Sequence, residues 1–128
     1  MVTPTLVGIE ISDGAKLIQS LDAHGIRPTA ALWGHRIDDP RWKLVIATPL
    51  VDQRGPRYAY TDVQGVLRAF RPPLHITLQD IMVVSPSEGL IKELKKQYGP
   101  IESLANPQQI LVSPITGYGD RVLVYRVR

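Results

Sequence analysis

Thr29-Ala30-Ala31-Leu32-Trp33 and Trp42-Lys43-Leu44-Val45-Ile46-Ala47-Thr48 decide the fold. Both runs are short, apolar and rich in strand formers, and the turn-prone segment 34–41, with Asp38-Asp39-Pro40, separates them. Such a pair predicts a β-hairpin. Pro49 closes the second strand, because a residue without an amide hydrogen cannot extend a ladder.

Upstream of the hairpin, Ile11, Ala15, Leu17, Ile18 and Leu21 recur at helical spacing. The pattern stops at His24-Gly25-Ile26, where Gly25 suits the left-handed residue of a Schellman ending and Ile26 can fold back on Leu21. Downstream, Asp52-Gln53-Arg54-Gly55-Pro56 leads into a second helix with Pro56 at its first position, where a missing N–H costs nothing. Ala59, Tyr60, Val63, Val66, Leu67 and Phe70 form its buried stripe, and Pro72-Pro73 ends it.

Leu78 to Val84 reads as a third strand. Ser85-Pro86-Ser87-Glu88 then has the spacing of a capping box, with a third helix burying Leu90, Ile91, Leu94 and Tyr98 before Gly99-Pro100. Lys92, Lys95 and Lys96 complement its negative C-terminal end. Gln109 to Ser113 and Arg121 to Val127 flank Gly117-Tyr118-Gly119-Asp120 and predict a second hairpin. The expected fold is thus a single α+β domain over residues 1–128, in the order αββαβαββ, with three helices on a mixed five-stranded sheet. The second and third strands, joined through a helix, are the parallel pair.

Composition bounds the chemistry. With no cysteine among 128 residues, disulfides, thiolate metal sites and a cysteine nucleophile are excluded. No apolar run approaches the roughly 18 residues of a membrane span, and residues 1–12 have no basic leader region, so a cytoplasmic protein is expected. The net charge of +3 is unevenly spread, at −2 over residues 1–40, +3 over 41–80 and +2 over 81–128, without a dominating basic run.

His75-Ile76-Thr77-Leu78 resembles one copy of the His-x-Thr-hydrophobic motif of the 2H phosphoesterase family. In that family two such motifs on two strands face each other, so the resemblance implies an acid–base role for His75 on a phosphodiester. Neither His24-Gly25-Ile26-Arg27 nor His35-Arg36-Ile37-Asp38 supplies a second copy.

Other clusters have chemical and structural readings side by side. Arg54, Gly55 and Arg57 sit at a helix N-terminus, which favours anions, though the arginines could equally be solvated or paired with Asp52. His35, Asp38 and Asp39 are possible divalent-cation ligands, but Asp-Asp-Pro is a common turn, and no metal is assigned. Trp33 and Trp42 flank the hairpin loop as candidates for a stacking platform beside Arg41, Lys43, Arg54, Arg57, Arg68 and Arg71; acids interleave with that strip. The serines lack a nucleophile-elbow context.

The expectation is therefore a small non-catalytic binding or interaction domain without a cofactor. The alternatives are a phosphoesterase-like enzyme centred on His75 and a nucleic-acid-binding domain. A homodimer is expected as well. Arg121 to Val127 places Leu123, Tyr125 and Val127 on one side and Val122 and Val124 on the other, and three helices scarcely cover both faces of such a sheet. The expected dimer contacts use the sheet or an edge strand and include Tyr125.

Overall fold

The first helix ends as its sequence requires. In the computed structural model, which describes residues 6–128, α1 runs Gly8–Ala23. Gly25 has φ +79°, its amide donates to the Asp22 carbonyl at 3.0 Å and the Ile26 amide donates to that of Leu21 at 3.0 Å. Those two bonds make up a Schellman motif. β1 (Ala30–Gly34) and β2 (Lys43–Ala47) then pair antiparallel, with Ala30 opposite Ala47 and Trp33 opposite Leu44.

The Asp52–Arg54 lead-in is itself helical, forming the short α2 (Leu50–Arg54) ahead of α3 (Pro56–Arg68), where Pro56 takes the first position. The predicted third strand is cut in half. Residues Leu78–Asp80 are a 3-10 turn, and only Ile81–Val84 is strand, β3. The cause is local: the Asp80 carboxylate accepts from the Thr77 amide at 2.8 Å and the Thr77 hydroxyl at 3.3 Å, which offers the backbone an alternative to the ladder. β3 lies parallel to β2, with Leu44 opposite Ile81.

The predicted capping box does not form. α4 begins at Gly89 and runs to Tyr98, because residues 85–88 close a separate turn with the Glu88 amide on the Ser85 carbonyl at 3.0 Å. The Ser85 hydroxyl donates instead to the Asp52 carboxylate at 2.9 Å and accepts from the Ser87 amide at 3.1 Å. Tyr98, expected in the core, is 47% exposed in the last turn. β4 (Ile101–Glu102) was not predicted; β5 (Gln108–Leu111) and β6 (Arg121–Val127) make the expected second hairpin. The main sheet order is β3-β2-β1-β6-β4, and β5 also pairs with β6.

Both faces of the sheet are covered within one chain. Leu17, Ile18 and Leu21 of α1 and Ala59, Val63 and Val66 of α3 pack with Ala31, Trp33, Leu44, Ile46 and Tyr125 on one face. Leu90, Ile91 and Leu94 of α4 pack with Leu32, Val45, Val122, Val124 and Val127 on the other. This overturns the premise that a face is left bare. Tyr125 is fully buried inside the protomer and cannot be a dimer contact.

A register shift explains the altered face assignment in β6. Leu32 pairs with Val124 but Ala31 pairs with Arg126, leaving Tyr125 as the extra residue of a β-bulge. The bulge breaks strict alternation. Val127 therefore joins Val122 and Val124 instead of Leu123 and Tyr125. No helix of the described residues is long and apolar enough to cross a membrane.

Candidate functional site

α1 carries a carboxylate that its own periodicity does not explain. Asp13 is only 3% exposed, yet its Oδ2 accepts from the backbone amide of His75 at 2.7 Å and lies 3.1 Å from the His75 Nδ1. Lys16, one turn on, places Nζ 3.8 Å from the other oxygen. An ionised carboxylate is acceptor-only, so in this pair Nδ1 is the donor. The imidazole is 62% exposed.

The next residue holds the pair against the sheet. A Cβ at Gly14 would stand 2.6 Å from the Tyr125 hydroxyl and 3.1 Å from Trp33 Nε1. Glycine is needed there for close approach, since mid-helix it otherwise costs about 1 kcal/mol relative to alanine. Trp33 Nε1 donates to the Tyr125 hydroxyl at 2.8 Å, and that hydroxyl donates to the Ile11 carbonyl. Burial pushes the Tyr125 phenol up to about 12.

The tetrapeptide resembling the 2H motif is not on a strand. Residues 75–77 are irregular backbone ahead of the 3-10 turn, with Ile76 in the core and Thr77 engaged with Asp80. The other two histidines are engaged elsewhere: His24 Nδ1 contacts the Ser20 carbonyl at 2.7 Å, and His35 packs edge-on to Trp42 at 5.1 Å between centroids. Behind the segment, Leu67 and Arg68 of α3 with Leu74, Ile76, Thr77 and Leu78 line a groove of about 270 Å³ that His75 does not line.

A second arrangement lies at the α2–α3 corner. Arg54 stacks its guanidinium over the Tyr58 ring at 4.5 Å, and Gly55, at φ +89°, lets the chain turn from one helix into the next. Asp52, the expected partner of the arginines, is instead held by Ser85. Among the described residues neither Arg54 nor Arg57 forms an ion pair. Two cations thus stand beside the positive end of α3, neither of them ion-paired among the described residues.

The remaining candidates separate. Trp33 is fully buried and cannot stack on a ligand; its β-partner is Leu44, so the two tryptophans do not pair. Trp42 is half-buried against the core. Asp39 is taken by Arg41, with contacts of 3.1 and 2.9 Å, and these bonds lower its carboxyl to about 2. Among the described residues no three His, Asp or Glu side chains converge on a metal position.

Sequence reasoning missed Asp13 as the partner of His75, and it missed Arg126. Arg126 is 1% exposed; it reaches Asp22 at 2.7 and 2.8 Å, Glu102 at 2.9 Å and the Pro28 carbonyl at 3.3 Å. The one available signal for Asp13 was an acid between the apolar positions Ile11 and Leu17 and next to a helical glycine. Comparison of the chain with family models, curated proteins and solved structures finds no match.

Proposed function

We propose that this chain is a small binding domain for an anionic ligand, held at the α2–α3 corner by Arg54, Gly55 and Arg57. The observation that carries this reading is the missing neutralisation: Asp52 is drawn to Ser85, while Arg54 is ordered by Tyr58 and Arg57 occupies the first turn of α3. Charge-assisted bonds to an oxyanion suit such an arrangement, since arginine presents a planar fork and the helix end adds partial positive charge. The working form of this reading is a cytoplasmic homodimer.

The test is calorimetric titration with pyrophosphate at low salt. Binding that is lost in the Arg54→Gln, Arg57→Gln double variant, with the melting temperature preserved, supports the reading. Equal binding by the wild type and the double variant contradicts it.

A second reading is favoured by one observation, the Asp13–His75 hydrogen bond. A histidine oriented through Nδ1 by a buried carboxylate presents Nε2 as a general base or acid, and the resemblance of residues 75–78 suggests a phosphodiester as its substrate. Turnover of a generic cyclic phosphodiester that disappears in both His75→Ala and Asp13→Asn supports this reading. Turnover unchanged in His75→Ala removes it.

A further inference from the structure

Every residue from Ser103 to Gly119 is uncharged, although the whole chain has 15 basic and 12 acidic residues. That stretch contains β5, which lies on the outer side of β6. Sheet edges are usually guarded by charges, proline or a covering element, because their open amides and carbonyls template further pairing. The opposite edge has such a guard: the Tyr60 hydroxyl of α3 accepts from the β3 amide of Val83 at 3.0 Å.

β5 is guarded less. Val112 donates inward to the Asp120 carbonyl at 2.8 Å, and antiparallel alternation then turns Ile110 and Gln108 inward, leaving the amides and carbonyls of Gln109 and Leu111 pointing out. Among the described residues, of these groups only the Leu111 carbonyl meets a donor, the Tyr98 hydroxyl at a long 3.4 Å. Leu111 is 63% exposed, and Ile115, in the 114–116 turn that follows the strand, is 89% exposed.

We infer that the β5 edge pairs with β5 of a second copy of this chain, which deepens the homodimeric reading above by naming its face. Charge selects the occupant. Two copies of a +3 chain meeting about a two-fold axis bring each surface against itself, so any charged patch would face its own sign; the uncharged 103–119 stretch avoids that penalty. With the axis at Ile110, Gln109 lies opposite the partner's Leu111, and each such pair exchanges two backbone hydrogen bonds. The Leu111 and Ile115 side chains then border the joint and lose exposed apolar area.

Light scattering on the eluting protein across micromolar concentrations is the test. The expected wild-type mass is twice the 14.2 kDa of one chain. Leu111→Lys puts like charges near the axis and is expected to weaken association by about 100-fold or more. Ile115→Ser, at a position too exposed to matter for folding, should weaken it more modestly, and Arg57→Gln should leave it unchanged. A wild-type mass of one chain overturns both the homodimer and its face. A dimer that survives Leu111→Lys and Ile115→Ser, with circular dichroism unchanged, overturns the face alone.

Discussion

Two carboxylates of α1, Asp13 and Asp22, make opposite kinds of pair. Asp22 is the more exposed member of its pair, at 29% of its side chain against 2% for Arg126. Asp13 is the buried member of its own, at 4% against 62% for His75. In the first the cation is enclosed, and Nε and both terminal nitrogens of its guanidinium are engaged by Asp22, Glu102 and Pro28. In the second the cation-forming group faces water with one nitrogen unused. A closed pair of that kind serves the fold, joining α1 to β4 and β6, whereas an open one keeps capacity for a ligand or a proton.

The largest expected effect breaks the closed pair. Asp22→Asn combined with Glu102→Gln leaves a buried guanidinium without a counter-charge and should cost about 3–5 kcal/mol in urea unfolding. Arg126→Met sharpens the contrast. It keeps volume and returns two half-exposed acids to water, so it should cost only about 1 kcal/mol. A larger loss for Arg126→Met than for the double acid variant would reverse the assignment of which member is enclosed.

Next in size is the floor beneath the open pair. Gly14→Ala pushes a methyl group into the Tyr125 hydroxyl and the Trp33 indole, and should lower stability by about 1–3 kcal/mol despite alanine's better helix propensity. A neutral or stabilising result would mean that α1 is not pressed against Tyr125. Asp13→Ala should cost about 1–3 kcal/mol because it strips the partner from the His75 amide. His75→Gln keeps that backbone bond and should change stability by less than about 0.5 kcal/mol. Equal losses from the two would mean that the imidazole, not the backbone amide, does the fastening.

These contrasts also show what a sequence can carry. The Gly25-Ile26 helix ending and Pro56 at the start of α3 were legible because each is settled by residues a few positions apart. Asp22 meets Arg126 across 104 positions and Asp13 meets His75 across 62, and no periodicity registers either. The bulge at Tyr125 is likewise set by tertiary packing; it breaks the alternation from which the faces of β6 were read. At the Arg54–Arg57 corner the residue types were legible. That neither is ion-paired among the described residues was not, since Asp52 is held by Ser85 from 33 positions away.

A separate effect is expected at alkaline pH. Burial raises the Tyr125 phenol from 10.0 to about 12, so its neutral form is favoured in the folded protein. The associated stability is fully present below pH 10 and lost as the pH rises through 12. Burial also raises Tyr118. Urea midpoints that fall between pH 10 and 12, less steeply in Tyr125→Phe, are the expected result.

The most direct test of the functional account is an amide-resolved NMR titration with pyrophosphate at low salt. Saturable shifts clustered on Gly55, Arg57 and Tyr58, and abolished by Arg54→Gln with Arg57→Gln, are predicted. Shifts centred on Asp13 and His75, or no saturable shifts at all, would contradict an anion site at the α2–α3 corner.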